Sequence, residues 1–369
     1  ATFKIQFKKE VKNMNKVWYN VFDIHKACKT KGVQQCTYDI FQQMKYQYFE
    51  MVASKFRRPS ILQLYENVIS DVYSNNNVII NDTNNKNLIT YIDTVKENID
   101  NEIELLIHDG KKWNNHIPIQ YREGFNKIFH ISYYNLFVLD ILKEELLLLE
   151  EKDTTNNSYL QLNAIDPNLL IENVIYDLKG LSIEKFGVMP EINIRNNIQN
   201  DKTFPSLIGI QPYIHFSFVE IIKNNIQAVI DQYGELEIDN LDVAPIVIDI
   251  VVNKNNDDNN NIDIYFHDLG IGLIDNNNNE KDSNPFNALS TSREVVNEEP
   301  TYTYSRDFGV QFSGKGIGLL KTKMYIEMHN GSVELYSPTS LEKEKDDYIY
   351  DEDDHHHQHG KGSTTKISF

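Results

Sequence analysis

From about Thr37 to Glu151 apolar residues recur every three or four positions, as in Phe41, Met44, Tyr48, Phe49 and Val52, and again in Phe129, Tyr133, Phe137 and Ile141. This spacing puts one apolar stripe on each of several long helices, and the scarcity of glycine leaves Arg58-Pro59 as the one clear break. The pattern predicts a helical bundle. After Asp166 the period changes. A proline-started helix is predicted over 167–186, then a short run at Glu191-Ile192-Asn193-Ile194, then alternating strands at 246–251 and 262–266. The second half therefore reads as mixed α and β, with the boundary in the polar stretch 152–163. The expected organisation is an N-terminal extension over 1–36, a bundle over 37–160 and a mixed domain over 161–369.

Asparagine tracts at 75–77, 255–261 and 276–279 have nothing to bury and are expected to be solvated insertions. The acidic run 346–354 and the histidines at 355–357 and 359 read as a loop between two strands, with metal binding as the alternative.

Composition narrows the partners. The 369 residues suffice for two domains with buried cores, and 40% hydrophobic content excludes wholesale disorder. A net charge of -18 argues against nucleic acid and anionic membranes, so an anionic ligand needs a locally built site. No stretch approaches the ~20 apolar residues of a membrane span. Two cysteines, Cys28 and Cys36, fit a reducing interior and read as ordinary thiols. The chain opens at Ala1 with no visible targeting segment, as a processed or trimmed chain would.

Four segments carry candidate chemistry. In Glu220-Ile221-Ile222-Lys223-Asn224-Asn225-Ile226-Gln227-Ala228, a helix starting near Pro212 puts Glu220 and Asn224 on one face, where a carboxylate can activate a hydroxyl and an amide oxygen can ligate Mg²⁺. His267-Asp268-Leu269-Gly270-Ile271-Gly272 ends a strand; its Asp can accept from an adenine amino group above bare backbone. Gly314-Lys315-Gly316-Ile317-Gly318-Leu319 opens a helix through Met324 and Met328 and offers free N–H groups to phosphates. It is neither a Walker A motif nor a dinucleotide fingerprint. Gly362-Ser363-Thr364-Thr365 enters a final strand, with a hydroxyl that can reach a phosphate.

In this order the four segments resemble the N, G1, G2 and G3 boxes of the GHKL ATPase superfamily, which includes DNA gyrase and histidine kinases. The resemblance implies an α+β chain in which the bundle is followed by a Bergerat α/β sandwich, with a mobile lid over about 273–313. The branch it looks most like is the mitochondrial kinases of 2-oxo-acid dehydrogenases, the pyruvate and branched-chain types. Their N-box Glu-Leu-Leu/Phe-Lys-Asn-Ala-Met-Arg-Ala is matched at Glu220, Lys223, Asn224 and Ala228. Arg58-Pro59-Ser60, Pro190-Glu191-Ile192 and Leu289-Ser290-Thr291 resemble further family elements, and 130–149 corresponds to the last bundle helix.

The resemblance makes Glu220 the general base, Asn224 the Mg²⁺ ligand and Asp268 the adenine reader. Lys223, Gln227, Gly270, Gly272, Ser290, Thr291, Gly314, Lys315, Gly316, Ile317, Gly318, Leu319 and Ser363 then line the nucleotide. It implies ATP and Mg²⁺, leaves K⁺ dependence open, and places the protein in the mitochondrial matrix as a homodimer. Its partners would be a lipoyl domain of the E2 acyltransferase and the E1 α subunit, the latter phosphorylated on serine. Departures are present: the His that pyruvate dehydrogenase kinases carry four residues before the Glu is Phe216 here, with His215 one position off, and the N-box Arg is Gln227. The alternatives are a sensor histidine kinase, for which His130, His108 and His116 are the bundle candidates, and an ATP-binding scaffold that transfers no phosphate.

Overall fold

The computed structural model describes residues 20–53, 58–74, 85–112, 119–150, 160–196, 206–234, 243, 245–254, 260–272, 285–288, 316–336 and 362–369. The asparagine tracts at 75–77 and 276–279 and the acidic and histidine run at 346–359 lie outside them. The chain is mixed α and β, a helical region preceding a sheet region. It divides into two compact units, 1–161 with 287–294 and 162–286 with 295–369. Among the described residues no helix is long and apolar enough to cross a membrane.

The first unit contains α1 (Val21–Lys31), α2 (Val33–Ala53), α3 (Pro59–Ser74), α4 (Asn85–Lys112) and α5 (Ile119–Glu150). Helix α1 lies within the stretch 1–36 expected as an N-terminal extension, and α2 begins in it. Asn20 caps α1, its side chain accepting from the Asp23 N–H at 2.8 Å. Pro59 opens α3, whose start Arg58 ties to α4 through Glu102 (3.2 Å) and Asp109. The core is aromatic and aliphatic, with Phe41, Met44, Phe125, Phe129 and Phe137 all buried. A polar knot lies within it: buried Asn135 donates through Nδ2 to Gln47 Oε1 (2.9 Å) and Tyr65 Oη (2.7 Å), and burial pushes the Tyr65 phenol up to about 12. Ala288 belongs to this unit, its N–H donating to Asn126 Oδ1 at 2.9 Å.

The second unit holds β1 (Leu162–Ile165), α6 (Pro167–Phe186), β2 (Ile192–Asn196), β3 (Leu207–Ile210), α7 (Gln211–Tyr233), β4 (Ile246–Lys254), β5 (Asn260–Asp268), α8 (Gly318–Met328), β6 (Ser332–Tyr336) and β7 (Ser363–Ser368). β1 and β3 pair antiparallel as a separate ribbon; the main sheet runs β2-β4-β5-β7-β6, parallel only between β2 and β4. Alternation fixes the faces. Ile248, Ile250, Ile264, Phe266 and Ile367 turn inward against Phe218, Ile222 and Ile226 of α7. Asp249, Tyr265, His267 and Lys366 take the alternate positions, with His267 Nε2 3.3 Å from Asp249 and Lys366 Nζ 3.2 Å from Asp263. The loop expected over 255–261 is shorter than its composition suggested. Asn260 and Asn261 belong to β5, paired with Lys254 and Asn253, because the antiparallel ladder continues past the apolar residues.

His329, at the end of α8, joins three elements. Its Nδ1–H donates to the Tyr325 carbonyl at 2.6 Å, and its Nε2 accepts the Ile210 N–H at 3.1 Å where β3 passes into α7. Burial holds this imidazole neutral, with its pKa down at about 4. The unfolded chain thus takes up the proton first, near the ordinary value of ~6.5, and this contribution to stability is present above that pH and drains away as the pH falls toward 4. The expected loss is on the order of 3 kcal/mol. Urea unfolding of the wild type and of His329→Gln across that interval checks it: the wild type should show the steeper acid loss, and parallel profiles would refute the assignment.

Candidate functional site

Helix α7 is the spine of the site, and residues distant in sequence meet it at two places. Near its middle, Glu220 is largely buried, its side chain 12% exposed. One turn on, the Lys223 side chain is buried and its ammonium hydrogen-bonds the Glu220 carboxylate. Facing them is the start of α8. A Cβ added at Gly318 would lie 1.9 Å from Glu220 Oε2, so only glycine lets α8 come this close with the carboxylate in place. No side chain caps α8, whose preceding residue is Ile317. Its first-turn N–H groups, with their partial positive charge, therefore begin beside a carboxylate and an ammonium.

Two turns further along α7, the second meeting point forms at Ala228. The loop after β5 presses on the helix backbone: a Cβ at Gly270 would lie 2.4 Å from the Ala228 carbonyl carbon, and the Ile271 N–H donates to Ala228 O at 3.2 Å. Asp268, at the end of β5, is 4% exposed. Its Oδ1 accepts the Gly270 N–H at 2.9 Å and its Oδ2 accepts the Ser363 hydroxyl at 2.6 Å. Burial raises the Asp268 pKa, opposed in part by these bonds and by His267. The Gly362 N–H closes the arrangement on Gly270 O at 3.0 Å. From Glu220 to Ala228 the rise along α7 is roughly 12 Å at 1.5 Å per residue.

The structure thus gathers Glu220, Lys223, Gly318 and the uncapped turn at Ile317 and Leu319 at one place, and Asp268, Gly270 and Ser363 at another, the two places meeting α7 at Glu220 and at Ala228. Gly272 and Gly316 both adopt positive φ, 69° and 73°. Asn224 is exposed on α7. Gln227 is buried and spends its amide on Asp231 Oδ1 at 2.9 Å, a bond within α7. Ser290, Thr291, Gly314 and Lys315 lie outside the described residues. His215 is drawn toward α6, its Nε2 3.7 Å from Asp177 Oδ2, and burial lowers its pKa. Phe216 packs edge-on against Tyr325, centroids 5.5 Å apart, with Lys321 Nζ 5.8 Å from its ring.

Two features escaped the sequence reading. The Glu220–Lys223 ion pair was signalled by opposite charges three apart on a helix. The role of Ala228 as the seat of the Gly270 loop had no signal, since it depends on a backbone contact between elements some forty positions apart. Among the described residues no group of three His, Cys, Asp or Glu side chains is placed to hold a metal ion. No model of a known protein family matches the sequence, and no curated protein does.

Proposed function

We propose that the second unit is a GHKL-type nucleotide-binding domain and that the whole chain is an ATP-dependent protein serine kinase acting on the E1 α subunit of a 2-oxo-acid dehydrogenase. One observation carries this reading: the Gly270 loop and the start of α8 both press on the helix that bears Glu220, at Ala228 and at Glu220, and Ser363 reaches Asp268, so that a buried acceptor stands at one end and an uncapped helix start at the other. Asp268 receives the adenine amino group, its carboxylate held by Gly270 and Ser363. The N-terminal turn of α8, from Ile317 to Leu319, cradles phosphates. Asn224, exposed one turn from Glu220, supplies an oxygen to Mg²⁺, which when bound neutralises charge on the phosphates. Glu220 accepts the proton of the attacking serine hydroxyl. Lys223, which occupies that carboxylate in the free protein, turns toward the phosphates and releases it. Phosphoryl transfer asks little more of a protein than positioning and charge.

The scaffold reading draws on the same ion pair and on Phe216: a carboxylate neutralised by a buried lysine, with no imidazole behind it, is a poor base. Label transfer from γ-³²P-ATP with Mg²⁺, with each purified E1 offered alongside its lipoyl-bearing core, separates them. Acid-stable label on one E1 is expected. Acid-labile label on the protein itself would mean a histidine kinase, and tight ATP binding without any label would mean the scaffold.

A further inference from the structure

We propose that His267 is a positioning residue for nucleotide binding: from the opposite face of the main sheet it fixes, through Thr364, the Ser363 hydroxyl that holds Asp268. The inference rests on the nucleotide-binding reading of that end of α7 and extends the site to a face of the sheet that the nucleotide never touches.

Strand register sets the geometry. Between β5 and β7, Asp268 pairs with Ser363, and the next pair along is His267 with Thr364. Alternation turns successive pairs to opposite faces, so Asp268 and Ser363 share the face covered by α7 while His267 and Thr364 share the other. Each pair is joined side chain to side chain: the Ser363 hydroxyl donates to Asp268 Oδ2 at 2.6 Å, and Thr364 Oγ1 lies 2.9 Å from His267 Nδ1. Ser363 is the first residue of β7 and has, among the described residues, a strand partner on one side only, because β6 reaches no further than Tyr336, which faces Thr364. A strand end held by a single ladder frays. The Thr364 pair is the nearest point at which β7 is held from both sides, so its side-chain bond bears directly on where Ser363 stands.

His267 is itself held in orientation. Its Nε2 lies 3.3 Å from Asp249 Oδ2 on β4, and its ring is parallel to that of Tyr265, with planes 1° and centroids 6.0 Å apart. A carboxylate only accepts, so Asp249 favours the tautomer with its proton on Nε2, and Nδ1 then accepts the Thr364 hydroxyl. Thr364 is buried, so solvent is a poor substitute for that acceptor. Asp249, His267 and Thr364 thus form one chain of contacts across three strands, ending beside Ser363.

The test uses the full chain, with and without ATP. In protein labelled with ¹⁵N at histidine, with the imidazole neutral, the His267 signals are assigned by their disappearance in His267→Phe. They should report a protonated Nε2 and a Nδ1 that accepts a hydrogen bond, and Thr364→Val should shift that Nδ1. ATP affinity should fall roughly three- to tenfold in Thr364→Val, as for one buried hydrogen bond. It should return to near the wild-type value in Thr364→Ser, and adding His267→Phe to Thr364→Val should lower it no further. A wild-type imidazole protonated on Nδ1, or undiminished affinity in Thr364→Val, would overturn the proposal. So would an equal loss in Thr364→Ser, which would make the residue a matter of packing alone. If Thr364→Val does not fold, His267→Phe reads the same bond from its other partner, and the wild-type spectrum decides the tautomer without any variant. A wild type that binds no ATP would overturn the nucleotide reading and this assignment with it, whereas a wild type that binds ATP beside an unaffected variant would overturn this assignment alone.

Discussion

Glu220→Gln should lower phosphoryl transfer to a protein substrate by roughly 10²- to 10⁴-fold, the usual contribution of a positioned general base, while ATP affinity changes little. The amide keeps the shape of the carboxylate and so keeps Gly318 and the start of α8 where they are, but it cannot take a proton from a serine hydroxyl. It also dissolves the ion pair with Lys223, whose side chain is only 5% exposed. An ammonium left buried without its partner is costly, so the variant should unfold at lower urea concentration. Single-turnover label transfer and calorimetric ATP titration on the same preparation read both effects. Transfer at the wild-type rate would remove Glu220 from the chemistry, and loss of ATP binding would make it a structural residue of the phosphate end.

Asp268→Asn should weaken ATP binding by about 10²-fold and narrow the preference for ATP over GTP, since discrimination by a buried hydrogen-bonding group is lost when its acceptor becomes a donor. In the wild type both carboxylate oxygens are held as acceptors, one by the Gly270 N–H and one by the Ser363 hydroxyl, and an ionised carboxylate has no hydrogen to offer a guanine carbonyl. The asparagine amide can donate to that carbonyl. A pH effect follows from the raised pKa: Asp268 takes up its proton above the usual carboxylate range, so nucleotide affinity should start to fall on acidification before ordinary surface carboxylates titrate. Competition of ATP and GTP against a fluorescent adenine nucleotide, followed with pH, tests both. Unchanged discrimination in the variant would mean that Asp268 does not meet the base.

Much of this arrangement was legible in the residue pattern, for definite reasons. The helix Pro167–Phe186 was readable to the residue because Asp166 caps it, accepting from the Asn168 and Leu169 N–H groups, and Pro167 takes its first position. The core strands were readable from their alternation. Their ends were not: β4 and β5 run on through Asn253, Lys254, Asn260 and Asn261, where backbone pairing continues without any apolar signal. The ribbon of β1 and β3 was hidden because each is four residues long. Helix α1 was hidden because its buried residues, Val21, Ile24, His25 and Cys28, include only two strong hydrophobes.

At the candidate site, residue types showed which groups carry charge and which positions lack a side chain. What they did not show is pairing. That Gln227 turns to Asp231, and that His215 turns to Asp177, depends on which neighbours the packed helices supply.

The position of β7 bears on how the protein comes into being. It follows every other described element in chain order, yet it lies inside the sheet, between β5 and β6. On the ribosome, therefore, β5 and β6 emerge with their shared neighbour still unsynthesised, each exposing an open edge that another chain can pair with. The Ser363 hydroxyl that holds Asp268 arrives with that same strand. The nascent chain thus stays open at its sheet, and without its finished base end, until β7 has been translated.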